Sequence, residues 1–302
     1  MKEVKLWAVG SISRDDIRTP LEYKQNVLGG SLPYSTIAAS FFQKTGAVGL
    51  VGTDFSVSFS RRWASFKLDL SGVKKAEGKT FHWACEYEDN MISRKTLATD
   101  LGVFANFKPE LPESYRDVKF VLLGNIDPKL QLSVLNQARD VEFVTVDTMN
   151  YWIQNAKEDL RKVIRRATML TVNDEEARML TGQRNLLEAA AELIKMGPQY
   201  VLIKKGEHGA LLFTQDDIFI VPAYPVRRLV DPTGAGDSYA GAFMGYLSHA
   251  TDTKEKTVRT ALLHASAVAS FCVEEFSIDR FSRLSLPDIK SRVSDLKHMI
   301  KV

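Results

Sequence analysis

Between Val230 and Tyr246 the chain reads Val-Asp-Pro-Thr-Gly-Ala-Gly-Asp-Ser-Tyr-Ala-Gly-Ala-Phe-Met-Gly-Tyr. Gly234 and Gly236, with only Ala235 between them, give a backbone able to turn sharply and expose its N–H groups. The helix predicted to follow opens with unsatisfied N–H donors and a partial positive charge. Together they suit a phosphate, or the charge that develops on a phosphoryl group in transfer. Asp237 lies at the mouth of that turn. A carboxylate there repels a resting phosphate, but it suits a hydroxyl that must lose its proton while attacking phosphorus. The plain alternative is a helix N-cap, for which Asp is a preferred residue. The helix itself adds weight to the chemistry. Gly241 and Gly245 share one face with Ala240 nearby, and each glycine costs about 1 kcal/mol against alanine inside a helix. Such glycines are expected where another backbone or a ligand comes close. Asp237 is therefore expected both to cap the helix and to act as a base.

Other nucleotide motifs fail on their spacing. A dinucleotide fingerprint starting at Gly234 needs glycine where Tyr239 stands, and it should follow the first strand. Gly78-Lys79-Thr80 ends like a P-loop, yet Val73 holds the place of the first glycine and a strand follows. Neither a Gly-x-Ser-x-Gly elbow nor a His-Glu-x-x-His helix occurs.

The elements that must position Asp237 follow from hydrophobic periodicity. Short apolar runs at Val4–Val9, Ala47–Val51, Val118–Leu123, Glu142–Asp147, Met169–Val172 and Tyr200–Lys204 predict strands, several of them apolar on both faces. Helix-length segments lie between them at Tyr34–Lys44, Pro128–Arg139, Ala156–Arg166, Asp174–Leu180 and Leu186–Met196. The last third is helical, with Asp237–Ser248, Glu255–Val273 and Leu286–Ile300. This alternation predicts a doubly wound α/β fold, a mostly parallel sheet between two helical layers. One stretch departs from it. Thr80–Tyr87 has period two, with Phe81, Trp83, Cys85 and Tyr87 on one face, and Ile92–Leu97 follows Asp89-Asn90. It reads as an antiparallel hairpin outside the parallel core, either an edge hairpin or a lid.

Composition narrows the function classes. The 302 residues are 45% hydrophobic and 25% charged, which excludes global disorder. Forty basic against thirty-seven acidic side chains leave +3, spread along the chain, so neither nucleic acid nor an anionic membrane surface is an expected partner. No apolar run is long enough for a bilayer. Met1–Gly10 lacks the apolar core of a signal peptide and reads as a first strand. Cys85 and Cys272 are the only cysteines and support neither a disulfide framework nor a zinc site. The expectation is a cytoplasmic protein.

Asp231-Pro-Thr-Gly-Ala-Gly-Asp237 resembles the C-terminal signature of the ribokinase-like, phosphofructokinase-B-type carbohydrate and nucleoside kinases. The resemblance extends along the chain. Gly10-Ser-Ile-Ser-Arg-Asp15 is similar to the family's first strand and loop, Gly29-Gly30 to its substrate-closing glycine pair, Asn173-Asp-Glu-Glu176 to its Asn-x-x-Glu element, and Lys205-Gly206-Glu-His-Gly209 to its nucleotide-side turn. It implies a Rossmann-like αβα domain over residues 1–302 with a small antiparallel β lid, formed mainly by about 79–98 with part of 11–30. It also implies transfer of the ATP γ-phosphoryl group to a primary hydroxyl of a small sugar or ribonucleoside. Asp237 would be the base and Gly234, Ala235 and Gly236 the anion hole. Asp15, Gly29 and Gly30 would hold the substrate; Lys204, Gly206, Gly209 and Thr233 would lie along ATP, with small residues around Ala265–Ala269 near the adenine. Asn173 and Glu176 would organise Mg²⁺, directly or through water, although their spacing is also that of a capping box.

Departures bear on the substrate. Tyr34 stands where the family's sugar kinases place asparagine after the glycine pair, and Asp147-Thr-Met-Asn150-Tyr-Trp152 lacks the arginine that usually follows. Tyr34, Phe81, Trp83 and Trp152 could stack on a base or a sugar, or could be core. Asn125 could donate to a substrate hydroxyl. A lid with an exposed aromatic face would favour a homodimer through the lid. The competing class is a non-catalytic sugar- or nucleotide-binding regulator on the same fold, which would need the pocket but not the carboxylate of Asp237.

Overall fold

The structure, a computed structural model, describes residues 3–301. Thirteen strands and ten α-helices are seen among them. The chain begins with β1 (Leu6–Val9), the hairpin β2 (Ser13–Arg18) and β3 (Tyr23–Gly29), then α1 (Ser31–Ser40), β4 (Thr45–Gly52), α2 (Val57–Ala64) and β5 (Leu68–Ala76). A second hairpin follows, β6 (Phe81–Tyr87) and β7 (Arg94–Asp100). The next unit is β8 (Phe120–Leu123), α3 (Pro128–Leu135), β9 (Phe143–Asp147), α4 (Asn150–Asn155), α5 (Lys157–Ile164), β10 (Met169–Asn173), α6 (Asp174–Thr181), α7 (Leu186–Lys195) and β11 (Tyr200–Lys204). The chain ends with β12 (Ala210–Phe213), β13 (Ile218–Val221), α8 (Ala235–His249), α9 (Glu255–Cys272) and α10 (Leu286–Met299).

Nine strands form one sheet in the order β13-β12-β11-β10-β9-β8-β1-β4-β5. From β11 to β5 every neighbour is parallel; β12 and β13 close one edge antiparallel. Both faces are covered, which is why the central strands are apolar throughout. In β1, Leu6 and Ala8 join a cluster with residues of α1, α8, α9 and α10, while Trp7 and Val9 join one with residues of α3, α5, α6 and α7. The doubly wound α/β expectation holds. The six predicted strands are present with boundaries shifted by at most two residues. Absent from the expectation were β5, β12 and β13, edge-side strands: β5 is half polar in sequence, whereas β12 and β13 are apolar but only four residues long each.

Four strands form a second sheet, β3-β2-β6-β7. It consists of two antiparallel hairpins joined by a parallel seam between β2 and β6. The aromatic residues of β6 face the body of the protein, while Tyr23 on β3 is exposed. Trp83, Cys85 and Tyr87 pack with Ile17, Val230 and Phe276, and Phe81 stacks on Phe104 outside the sheet. The expected exposed aromatic face is therefore not there, and that argument for pairing through the sheet falls away. Both cysteines are buried and free, and among the described residues no helix is long and apolar enough to cross a membrane.

Helix α8 lies on α1 with almost no side chain between them. A β-carbon on Gly241 would sit 2.0 Å from the Ser35 carbonyl oxygen, and one on Gly245 would sit 2.5 Å from that of Ala39. Gly241 and Gly245 thus serve a neighbouring backbone rather than a ligand. Gly241→Ala is expected to lower unfolding stability by about 2 kcal/mol, despite the better helix propensity of alanine. A urea midpoint lowered at unchanged slope would show it; an unmoved or raised midpoint would contradict it.

Candidate active site

In an open α/β sheet, ligands bind beyond the carboxyl ends of the strands where strand order reverses, here between β1 and β8. The sequence delivers polar residues to that rim from each strand in turn. Asn125 follows β8, Asp147 ends β9, Asn173 ends β10 and Lys204 ends β11. The Gly234–Asp237 turn closes the rim from α8.

That turn is built as follows. Gly234 occupies the N-cap of α8 in the left-handed region (φ 76°). Ala235, Gly236 and Asp237 make the first helical turn, so Asp237 lies three residues inside and does not cap the helix. The cap expectation is corrected: the left-handed backbone of Gly234 starts the helix with no side-chain cap. The N–H of Ala235 turns back to the Pro232 carbonyl at 3.3 Å. Those of Gly234 and Gly236 have no acceptor among the described residues, so of the three anion-hole residues these two keep open donors. Asp231 Oδ1 accepts from Thr233 N–H at 2.9 Å and shapes the approach to the turn.

Tyr34 supports the turn from beneath. A β-carbon on Gly234 would lie 2.4 Å from the Tyr34 ring, and Tyr34 is only 1% exposed. Its ring offers no free face for stacking, and its hydroxyl is buried without a partner. Asp15, on β2, is also buried, with Oδ1 unpartnered. Gly29 makes room for it, because a β-carbon there would fall 1.8 Å from the Asp15 carboxylate. Gly30 (φ 90°) turns the chain from β3 into α1. Burial pushes the Asp15 carboxyl up to about 7, with Asp231 and Asp16 adding to the rise and Ser13 and Gly30 opposing it. Burial likewise lifts Asp231 to about 6, and its Oδ2 is unpartnered. Buried acceptors without partners are rare in folded proteins and mark places where a donor-bearing ligand fits.

Across the rim, Asn173 and Glu176 form the capping box of α6. Asn173 Oδ1 accepts from Glu176 N–H at 2.7 Å, and Glu176 Oε2 accepts from Asn173 N–H at 2.8 Å. Burial raises the Glu176 carboxyl to about 7, opposed by Lys204. One carboxylate oxygen of Glu176 remains free, and no cluster of three or more His, Cys, Asp or Glu suited to a metal occurs among the described residues. Lys204 pairs with Asp147 at 2.9 Å. Burial pulls its ammonium down, but Asp147, Glu176 and Asp237 outweigh this and hold it above the ordinary lysine range. Asp237 is half-buried. Desolvation, then Asp147, lift its carboxyl well above the ordinary range, against Lys204 and Arg94.

The remaining expected residues are placed differently from one another. Asn125 accepts through Oδ1 from Trp152 Nε1 at 3.0 Å, which leaves its amide NH₂ free. The Thr233 hydroxyl is hydrogen bonded to that of Tyr87 on β6 (3.1 Å), linking the turn to the second sheet. Gly206 has open space around it, whereas Gly209 is pressed against β13, a β-carbon there falling 2.1 Å from the Val221 carbonyl oxygen. Ala265 and Ala267 are fully buried in the helical layer. Arg94, which sequence reasoning passed over, projects from β7 with its guanidinium 5.6 Å from the Trp83 ring. Its charge is felt by both Asp237 and Glu176. The available signal was its register opposite Tyr87, on the face turned toward the body.

This fold, with an N–H turn and a raised carboxylate at the rim of a doubly wound sheet, is that of a kinase acting on an alcohol. The chain belongs to the pfkB family carbohydrate kinases, whose sequence profile matches residues 6–281. It is 33% identical to the cytidine kinase of Thermococcus kodakarensis over 272 residues, covering 87% of this chain and 95% of that protein. The crystal structure of the Methanocaldococcus jannaschii nucleoside kinase superposes with a TM-score of 0.79 at 19% identity, covering 98% of this chain and 100% of that one. The Burkholderia thailandensis nucleoside kinase, in complex with inosine, gives 0.78 at 20% identity, with 96% and 98% covered.

The raised Asp15 carboxyl has a consequence for stability. Near 7 folded and near 3.8 unfolded, it binds more protons in the folded chain between those values, and so costs stability as pH rises through that window. Asp15→Asn removes the cost. The ligand-free variant should gain on the native chain by about 1.4 kcal/mol per pH unit across the window and by nothing below it. Urea unfolding at about pH 4 and about pH 7 measures the difference.

Proposed function

We propose that this kinase transfers the γ-phosphoryl group of ATP to a primary hydroxyl of a ribonucleoside, with Asp237 as general base and the second sheet as a lid. The observation that carries the reading is Asp237 itself. Burial beside Asp147 raises its carboxyl, and it stands one residue beyond the open N–H of Gly236. A carboxylate so placed can take the proton of an attacking hydroxyl while the turn receives the negative oxygens. A non-catalytic binder would have no use for it.

Asp15 and Gly29-Gly30 hold the acceptor in this reading. Asp15 Oδ1 and Asp231 Oδ2 are the unpartnered acceptors that ribose hydroxyls would satisfy, and the Asn125 amide would reach a further acceptor-side group. A nucleoside rather than a free sugar is supported by the names of the relatives above. It is also supported by Tyr34, which replaces the expected asparagine with a buried phenol. Gly206 leaves open space for ATP, and Arg94 would bring a positive charge over its phosphates. Mg²⁺ fits the site as a cation held by one carboxylate oxygen of Glu176, with waters and phosphate completing its shell. When bound, it would neutralise phosphate charge.

ADP release from Mg·ATP, measured across ribonucleosides, pentoses and hexoses, tests the reading. Asp237→Asn should lower kcat by about 10²–10⁴-fold and leave ATP binding intact. The acid limb of kcat/KM in the native enzyme should lie above pH 4, toward neutrality, because the carboxyl must be deprotonated to accept a proton and its burial delays that. Equal turnover by the variant would remove Asp237 from the chemistry. Turnover of a sugar in place of any nucleoside would correct the acceptor.

A further inference from the structure

Lys204 and Asp147 form a buried ion pair across three adjacent strands. Lys204, at the end of β11, reaches over β10 to Asp147 at the end of β9, Nζ to Oδ1 2.9 Å. The Thr171 hydroxyl on β10 donates to the same oxygen at 2.6 Å. The Asp147 side chain is 9% exposed and that of Lys204 19%. A pair this buried is a poor source of stability, since apolar residues of similar volume often serve a core as well or better, and the rest of β9 and β11 is apolar apart from Thr145 and Tyr200. Its location suggests another purpose. It lies at the carboxyl ends of the strands against the anion turn, where a β-carbon on Gly236 would be 3.3 Å from Nζ. Three carboxylates, those of Asp147, Glu176 and Asp237, act on this one ammonium. A cation so crowded can change partners when phosphate oxygens enter the turn.

We infer that Lys204 neutralises the transferring phosphoryl group, and that Asp147 is a positioning residue that holds the ammonium against Gly236 until the terminal phosphate of the nucleotide takes it over. The inference deepens the kinase reading and rests on it. In the step, the bond between the acceptor oxygen and phosphorus forms as the bond from phosphorus to the bridging oxygen of ADP breaks. ADP leaves with that electron pair, and the acceptor proton passes to Asp237. Lys204 forms and breaks no covalent bond; it offsets charge on the phosphoryl oxygens.

The test uses the full chain with Lys204→Met, Asp147→Asn, their combination and Thr171→Val. Affinities for ATP and for ADP with Mg²⁺ are measured by calorimetry, and kcat and KM with the acceptor that the native enzyme turns over. Lys204→Met should bind ADP within about threefold of the native chain but ATP about tenfold more weakly, with kcat lowered about 100-fold. Asp147→Asn, whose amide oxygen still accepts from Thr171, should lower kcat about tenfold at unchanged acceptor KM. The double variant should be no slower than Lys204→Met, because Asp147 acts through the lysine. Should Asp147→Asn fail to fold, Thr171→Val takes its place, with kcat lowered about threefold. Equal losses of ATP and ADP affinity in Lys204→Met would overturn the inference. So would multiplying effects in the double variant, or an unchanged kcat in Thr171→Val. If the native chain phosphorylates no acceptor, the kinase reading fails on its own, while the ATP-over-ADP comparison still decides where Lys204 acts.

Discussion

Backbone lies against backbone where α8 crosses α1, and the rest of the site depends on that contact. Gly241 and Gly245 leave no room between the helices, so the start of α8 is fixed relative to the start of α1. One helix carries the anion turn, and the other emerges from Gly29-Gly30, beside Asp15. In the proposed reading, the two halves of a phosphoryl transfer, the group given and the hydroxyl that receives it, are thus registered through a single helix pair. Transfer is sensitive to displacements of about an ångström, and a pair held by main chain cannot drift by changing rotamers. Tyr34 extends the same contact, its ring filling the space under Gly234.

Charge is the second constraint. Asp15, Asp231, Glu176 and Asp237 are all raised by burial, and several of their oxygens have no protein partner. Natural folds keep such groups where function needs them and offset the cost elsewhere. Here the offset comes from two apolar layers on either side of a nine-stranded sheet. Ligands that bring hydroxyl donors and cations would satisfy the groups left open, so occupancy should stabilise the fold by mass action.

The sequence made the αβα fold legible because strands buried on both faces are apolar throughout and helices between them are long enough to cross over. The glycine-rich turn was legible for a similar reason: Gly-Ala-Gly ahead of a helix has few other uses. What escaped was whatever depends on distance across the fold. Asp147 and Lys204 are 57 residues apart, and no local pattern joins them. Arg94 looks like any charged residue on a hairpin until the hairpin is laid over the rim. Tyr34 could have been ligand or core, and only the packing of α1 against α8 decides that its ring is buried. Asp237 was expected at the cap because Asp favours that position, yet a left-handed glycine needs no side chain to begin a helix. The capping box at Asn173 and Glu176 was read from spacing and is there.

Both strands of the β6–β7 hairpin re-enter the body through one clamp. Thr80 donates twice to Asp54, through N–H and hydroxyl, and accepts from the Gly52 N–H; Gly78 accepts from the Thr53 N–H, and Lys79 accepts from the Val103 N–H on the return. The far end, from Glu88 to Ser93, is exposed or half-buried and closes on itself. Of that tip only Met91 packs toward the body, against the cluster that holds Tyr87 and Val230, so changes elsewhere in it leave the clamp in place. In the proposed reading, such an arrangement lets the tip vary what is admitted beneath the hairpin while the clamp holds its foot, so new acceptors could be explored without rebuilding the catalyst.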